Sequence, residues 1–201
     1  MKLPHSAHRS HPWRIHEIAP GFRVEDVWAL DTPGGPGDFP RLVELIASGD
    51  STRRSPLPVR ALFAIRWKLG ALLGWDDPGT GVGSRVPSLR DALPPDLRDG
   101  PAGPDLDGRP FESLYLLDDE WAAEIANGTM HGVMHIGWVP DGAGGHRGQM
   151  AVLVKPNGRL GRAYMAAILP FRHLVVYPAM GREIARRWRE AAAGRTPAHA
   201  R

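Results

Sequence analysis

The order of elements in the C-terminal part of the chain constrains the fold more than any other feature. Two apolar runs of strand length, residues 130–139 and 150–155, are followed by a long closing segment at 160–193. Turn residues bound the two runs, whereas the closing segment carries apolar residues at helical spacing. Strands followed by a final long helix predict an α+β domain, in which an antiparallel sheet packs against the C-terminal helix.

The closing segment has the pattern of an interrupted helix. Met180, Ile184 and Trp188 recur every four residues and would lie on one face of a helix. Pro170 and Pro178 cannot donate the backbone hydrogen bond that a helix interior needs. The segment is therefore predicted to be either one kinked long helix or two helices in succession.

The spacing of the predicted strands and one turn sequence support antiparallel pairing. Strands are predicted at 112–117, 120–127 and 148–155, and short turns separate neighbouring strands. Asn127-Gly128 lies between the runs at 120–127 and 130–139, and both residues tolerate positive φ, so a tight hairpin is expected there.

The N-terminal part is predicted to be mixed. Residues 8–20 contain a short extended candidate, and 24–30 form a helical turn or a strand. Asp38 is a plausible N-cap for a helix over 39–46, and a second helix is expected from Ser55 to about residue 73.

A long loop follows, with a clamp at its centre. Residues 76–110 contain seven prolines and six glycines, too many for a continuous element. Residues 88–93 read as a capped helical turn, held by the apolar anchors Val86, Leu89, Leu93 and Leu97. We expect this clamp to be ordered and the flanks at 79–83 and 100–108 to be looser, so that the loop could control access to a cavity. The predicted organisation is a flexible N-terminus (1–10), a single domain (11–193) and a flexible tail (194–201).

Composition excludes several classes of protein. The 201 residues include no cysteine, which excludes disulfides, thiolate nucleophiles and cysteine metal sites. No apolar run approaches the roughly 20 residues of a membrane span, and the first residues lack the apolar stretch of a signal peptide, so we expect a cytoplasmic protein. The net charge is only +3, with basic and acidic residues mixed, and no nucleic-acid partner is expected.

Metal and cofactor sites are not predicted. His131 and His135 lie four residues apart on a strand, about 13 Å from each other at ~3.3 Å per residue, which is too far for one metal ion. A helical zinc motif would need a glutamate at 132, where the chain has glycine. The glycine-rich stretches at 79–83 and 142–148 do not lie between a strand and a helix, as a dinucleotide-binding loop does.

Two functions of different classes are compatible with the remaining residues. The first is a binding module for a small apolar or amphipathic molecule, because aromatic residues are plentiful and catalytic signatures are missing. Its expected pocket residues are bulky or amphipathic and lie on elements that face the core: Trp67, Tyr115, His131, His135, Trp138, Met150 and Tyr164. The second is an enzyme of the cyclase or hydrolase kind, with His131 or His135 as general base.

The enzyme would need a carboxylate beside its histidine. Asp118, Asp119, Glu120 and Glu124 follow Tyr115 along the predicted sheet. A catalytic acid or base requires a pKa shifted by a partly dry site, and the sequence does not show that any of these carboxylates is buried. A histidine within hydrogen-bond reach of one of them, both lining one cavity, would favour this second function.

The chain resembles an uncharacterised family, domain-of-unknown-function 2867, over residues 11–190. The resemblance lies in short phrases: Asp26-Val-Trp-Ala-Leu30 with Asp38-Phe39, Pro87-Ser-Leu-Arg-Asp-Ala-Leu-Pro94, Gly161-Arg-Ala-Tyr164 and Pro170-Phe-Arg-His173. It implies a helix-grip fold similar to START-like and Bet v 1-like proteins, in which a curved antiparallel sheet wraps a long C-terminal helix around an apolar cavity.

The resemblance also implies a third hypothesis. Some relatives carry this domain behind a short-chain-dehydrogenase-like NAD(P)-binding domain, which these residues do not include, so no NAD(P) role is expected of them. A lone copy could instead be an accessory subunit that docks on a separate oxidoreductase. Its basic surface at Arg60, Arg66 and Lys68 would then meet an acidic partner. The oligomeric state is left open.

Overall fold

Six antiparallel strands form one open sheet in the computed structural model, which describes residues 1–48, 82, 86–107 and 110–193. The spatial order is β1-β2-β6-β5-β4-β3. The strands are β1 (Lys2–Leu3), β2 (Arg23–Ala29), β3 (Glu112–Leu116), β4 (Glu120–Ala126), β5 (Met130–Pro140) and β6 (His146–Pro156).

The described helices are mostly short, apart from those that close the chain. They are α1 (Ser6–Arg9), α2 (Ile15–Ile18), α3 (Phe39–Ala47), α4 (Pro95–Arg98), α5 (Gly158–Phe171) and α6 (Tyr177–Ala193), with 3-10 turns at Pro36–Asp38 and Leu89–Ala92. A curved antiparallel sheet with a long closing helical segment is an α+β architecture consistent with the predicted helix-grip fold, which is thereby confirmed.

One face of the sheet, here called the helix face, packs against α3 and α6. Met180, Ile184 and Trp188 of α6 belong to the same apolar cluster as the sheet residues, as their four-residue spacing predicts. The sheet contributes alternate residues along its strands, as the pleat requires: Trp121, Ala123, Met134, Ile136, Trp138 and Met150.

The opposite face, here called the N-terminal face, is also covered. Trp13, Ile15 and Ile18 pack on it, together with Leu93 and Leu97. The sheet residues beneath them are Tyr115, Ala122, Val133, Ala151 and Leu153. Since both faces of the sheet are covered, nearly every residue along β4 and β5 is buried, and buried and exposed residues do not alternate as they would in a sheet with one face in solvent.

The closing segment is one continuous run of helix with a wide turn in its middle. Between α5 and α6, residues Arg172–Val176 form a π-helix. Pro178 lacks a backbone N–H, so it cannot bond the carbonyl of Leu174 as an α-helix would, and a change of helical register accommodates this loss. The predicted interruption is confirmed, and it falls between the two prolines.

The β4–β5 hairpin is confirmed, but its turn uses a different device from the predicted one. Neither Asn127 nor Gly128 has positive φ. Instead, Asn127 Oδ1 accepts hydrogen bonds from the backbone N–H groups of Thr129 and Met130 at 2.9 and 3.1 Å. The asparagine is therefore needed for its side-chain acceptor.

The N-terminal residues differ from the sequence-based expectation. The extended candidate at 8–20 was wrong, because this stretch contains the end of α1 and all of α2. Residues 1–10, expected to be flexible, contribute β1 to the sheet edge and bury His8 completely. Short polar helices of this kind carry no long apolar period, and only the sheet beneath them stabilises them.

The remaining predicted elements have mixed outcomes. The stretch 24–30, which could have formed a helical turn or a strand, is strand as far as residue 29, within β2. The helix predicted over 39–46 is present as α3, and the capped turn at 88–93 is present with the Ser88 hydroxyl accepting from the Arg90 amide. The helix expected from Ser55 to about residue 73 lies outside the described residues. In the part of the chain that is described, no helix is long and apolar enough to span a membrane.

The close approach of Trp13 to Gly137 gives a first prediction. A Cβ atom at residue 137 would lie 2.6 Å from two carbons of the Trp13 ring, so Gly137→Ala should displace the indole and lower the free energy of unfolding by about 1–3 kcal/mol. The measurement is urea unfolding followed by far-ultraviolet circular dichroism. Gly37→Ala is the control, because no atom lies within 4 Å of a Cβ there. Equal stabilities of the two variants would contradict this packing.

Candidate functional site

A buried ionic cluster lies between β2 and the π-helical turn on the helix face. Asp26 is completely enclosed, and Arg172 Nη2 donates to its Oδ2 at 2.6 Å. His173 Nε2 contacts the other carboxylate oxygen. We call Asp26, Trp28, Arg172, His173 and Tyr177 together the Asp26 cluster.

Two aromatic rings enclose these charges. Arg172 donates from Nε and Nη2 to the Tyr177 hydroxyl at 3.0 and 2.6 Å. The Trp28 ring centroid lies 5.3 Å from that of Tyr177 and 6.3 Å from that of His173. Burial raises the pKa of Tyr177 above its ordinary value, and the neighbouring Arg172 charge only partly offsets this, so the phenol keeps its proton.

Solvent reaches the Asp26 cluster at its outer edge. The side chains of Arg172 and His173 are 11% and 22% exposed, in contrast to the enclosed Asp26. Lys2 Nζ lies 3.4 Å from His173 Nδ1, and the adjacent Leu174 points into solvent. The cluster is thus an enclosed carboxylate with its cationic partners toward the surface.

The N-terminal face holds two glutamate–histidine pairs. Glu124 Oε2 lies 2.7 Å from His131 Nε2, and Glu124 also accepts from the Ser88 hydroxyl at 2.5 Å and the Leu89 amide at 3.1 Å. Burial alone would raise the pKa of Glu124, but the donors, with His131 first, outweigh it and the pKa lies below its ordinary value. This carboxylate fastens the turn at Leu89–Ala92 to the sheet.

The second pair continues into a chain of buried groups. Glu120 Oε2 lies 2.8 Å from His135 Nε2, and His135 Nδ1 lies 3.2 Å from His8 Nε2. Glu120 Oε1 accepts from the Arg14 amide at 2.9 Å. His8, His135 and Glu120 are at most 2% exposed, so this chain of groups fastens the N-terminal residues to the sheet.

Burial sets the protonation of these groups. It raises the pKa of Glu120 to about 7 and lowers the pKa of His135 to about 3, and that of His8 to about 2. Both rings are therefore neutral at pH 7. With Glu120 ionised, the network assigns the His135 proton to Nε2 and the His8 proton to its own Nε2. His8 Nδ1 is left as a buried acceptor that has no partner in the part of the chain that the structure describes.

The expected pocket residues do not lie on one side of the sheet. Tyr115, His131 and His135 belong to the N-terminal face, whereas Trp138 and Met150 belong to the helix face. Met150 pairs directly with Trp28 across β6 and β2, next to the Asp26 cluster.

Trp67 lies outside the described residues. Tyr164 lies in α5, and its side chain is not described.

The main residues of the Asp26 cluster were present in the sequence phrases but were not selected as a site. Asp26 and Trp28 begin the phrase that ends at Leu30, and Arg172 and His173 end the phrase that starts at Pro170. These phrases are 140 or more residues apart, and the Asp26 to Arg172 contact joins them. The sequence did contain one signal, because Asp26 is a charged residue within an apolar run, and charged residues are rarely buried unless they are paired.

Comparison with known families assigns the chain to one of them. A family model described as a protein of unknown function, DUF2867, matches residues 18–179. The chain belongs to this family, and the predicted resemblance is confirmed. The matched region includes all residues of the Asp26 cluster and both glutamate–histidine pairs, but not His8. No curated protein and no solved structure matches the chain.

The Ser88 contact gives a prediction about the clamp. Ser88→Ala removes both the hydrogen bond to Glu124 and the cap on Arg90, so local stability should fall by about 1–2 kcal/mol. Hydrogen exchange measured by mass spectrometry should then accelerate in residues 89–98 and not in β5. Ser48→Ala, which removes an exposed hydroxyl that donates to the Glu44 carbonyl and accepts from Arg187, is the control. Unchanged exchange in the Ser88 variant would show that the clamp does not depend on this contact.

The raised pKa of Glu120 predicts a pH-dependent stability. The fold favours protonated Glu120, so its contribution is full below the ordinary pKa of about 4.5 and is lost as the pH rises through 7. The lowered pKa values of His8 and His135 act at acid pH, where stability is lost as the pH falls from 6.5 toward 3. Glu120→Gln cannot ionise, so its stability relative to the wild type should increase from pH 5 to about pH 7 and level off above that.

Urea unfolding at pH 5, 6, 7 and 8 measures this difference. Glu124→Gln is the matched control, because the lowered pKa of Glu124 confines its effect to acid pH. Its stability relative to the wild type should be constant above pH 6. Parallel pH curves for the wild type and Glu120→Gln would contradict the proposed ionisation.

Proposed function

We propose that the protein binds a small amphipathic molecule on the helix face of the sheet, with the polar end of the molecule at the Asp26 cluster. The observation that carries the proposal is the fully enclosed Asp26 carboxylate, shared between Arg172 and His173 inside an aromatic layer. Replacing a buried ion pair by apolar groups is often neutral or stabilising, so an ionic group in this position is poorly explained by stability alone.

The surroundings of the cluster suit the apolar part of such a molecule. Trp28, Met150 and Tyr177 adjoin the charges, and Val152 and Met180 extend the apolar surface. Binding sites for small molecules are mostly apolar with a few convergent polar groups, and this face has both.

The π-helical turn supports the same location. Arg172 and His173 are the first two residues of this segment, which presents their side chains to Asp26. Single π-helical turns within α-helices occur frequently at functional sites, because the widened turn re-aims side chains that a regular helix would direct elsewhere.

The opposite face offers a second candidate function. His131 and His135 are each within 2.8 Å of a glutamate, which is the contact that a histidine–carboxylate enzyme needs. Both pairs are enclosed, and both glutamates also bind backbone amides of covering segments. We therefore rank a cyclase or hydrolase activity on this face second. The docking hypothesis rests on Arg60, Arg66 and Lys68, which lie outside the described residues.

A fluorescent amphiphile tests the leading proposal. Titration of the full chain with 11-(dansylamino)undecanoic acid should give a saturable rise in dansyl emission, and excess probe should raise the melting temperature. The charge-balanced double variant Asp26→Asn with Arg172→Met should weaken binding at least tenfold, since it removes the polar partners without leaving an unpaired buried charge.

Glu120→Gln is the control, because it alters a buried carboxylate on the opposite face. We expect it to bind the probe as the wild type does. Circular dichroism melts confirm that each variant is folded. If the wild type gives neither an emission change nor a thermal shift, the binding proposal fails. If Glu120→Gln loses binding and the double variant keeps it, the site lies on the other face.

A further inference from the structure

The charges around the Asp26 cluster do not balance. The Asp26 carboxylate faces the Arg172 guanidinium, and Lys2 adds an ammonium group 3.4 Å from His173 Nδ1. Among the described contacts of the cluster, one negative charge thus meets two permanent positive charges, before any proton on His173 is counted. A negative group brought to this position would remove the excess.

Two hydrogen-bond donors in the cluster have no acceptor among the described residues. Arg172 Nη1 and Trp28 Nε1 are both buried, and neither has a partner in the described part of the chain. Both residues flank Tyr177: the Arg172 guanidinium carbon lies 5.4 Å from its ring centroid, and the Trp28 ring centroid lies 5.3 Å from it. Buried donors without acceptors are costly, so they mark a place where an acceptor is expected.

Among the described residues, each acceptor atom of the cluster already has a partner. Asp26 Oδ2 accepts from Arg172, and Oδ1 contacts His173, while the Tyr177 hydroxyl accepts from Arg172. An ammonium group would have to share a carboxylate oxygen with Arg172 or His173, and it would meet the positive charges of Arg172 and Lys2. An oxygen-rich anionic group would find two free donors.

We propose that the polar end of the bound molecule is an anionic oxygen group, a carboxylate or a phosphate monoester, that accepts hydrogen bonds from Arg172 Nη1 and Trp28 Nε1. This inference rests on the proposed function and defines its ligand class. Trp28 Nε1 and Arg172 Nη1 donate to separate oxygens of the head group. Lys2 supplies a further positive charge at the outer edge of the cluster. The alkyl part of the molecule lies along the apolar residues of the helix face.

A head-group series at constant chain length tests the inference. Decanoate, decyl phosphate, decanol and decylammonium, each below its micelle concentration, are titrated into the full chain by calorimetry at pH 7.5. We expect decanoate or decyl phosphate to bind at least tenfold more tightly than decanol, and decylammonium more weakly than decanol. The advantage of the anions over decanol should shrink as potassium chloride is raised from 50 to 500 mM. Which anion binds better distinguishes a carboxylate from a phosphate source.

A tryptophan pair provides the matched variants. Trp28→Phe keeps an aromatic ring and removes the indole donor, so it should weaken binding of the preferred anion about fivefold, which is the effect of one hydrogen bond, and leave decanol unchanged. Trp13→Phe is the control, because Trp13 Nε1 is likewise buried with no partner among the described residues but lies on the N-terminal face. Arg172→Lys keeps the charge and should also weaken anion binding.

The outcomes separate this inference from the proposed function. Equal affinities for the anions and decanol would overturn the head-group assignment and leave amphiphile binding in place. Tighter binding of decylammonium would also overturn it. Failure of all four compounds would remove the proposed function itself. Loss of anion binding in Trp13→Phe, with Trp28→Phe unaffected, would place the head group on the opposite face and overturn the assignment.

Discussion

The pairing of β5 with β6 is the constraint on which the rest of the structure depends. These two strands run antiparallel along eleven residues each and form the centre of the sheet, and residues on both of their faces are apolar. A sheet with two apolar faces needs a cover on each side, because exposed apolar area is unfavourable in water at about 25 cal/mol per Å². The C-terminal helical segment and α3 provide one cover, and the N-terminal helices with the clamp provide the other.

The buried carboxylates show how differently the two covers are attached. Glu120 and Glu124 accept from backbone amides as well as from histidines, and each thereby holds a segment of irregular chain to the N-terminal face. Asp26 has side-chain partners from the π-helical turn instead. The first arrangement satisfies backbone groups that a short helix cannot satisfy internally, whereas the second assembles charges and unpaired donors in one place.

The periodicity of apolar residues predicted the strands and helices that are long enough to show a repeating pattern. The strands from β3 to β6, helix α3 and the interrupted closing helix all follow from apolar spacing, Pro and turn residues, because local physics and the final fold agree in these segments. The short helices α1 and α2 were not predicted. Four residues cannot show a helical period, and helices of that length form only where a surface stabilises them.

The functional residues could be predicted only in part. His131 and His135 were predicted to share one face of a strand. Their glutamate partners could not be predicted, because they follow from the register between β5 and β4. The Asp26 to Arg172 contact joins residues that are 146 positions apart in the chain. No local pattern encodes such a pair, since a buried aspartate on a strand has no sequence signal for the cation that will meet it.

The sequence by itself determined the α+β class, the antiparallel order of the later strands, the interruption of the last helix and the absence of cysteine chemistry. These properties depend on covalent identity, proline geometry and periodicity, which act over a few residues. The tertiary structure alone decided which face each side chain occupies, which carboxylate meets which cation, and which donors remain unpaired. These properties arise from packing between distant segments, where a register shift of one residue moves a side chain to the other face of the sheet.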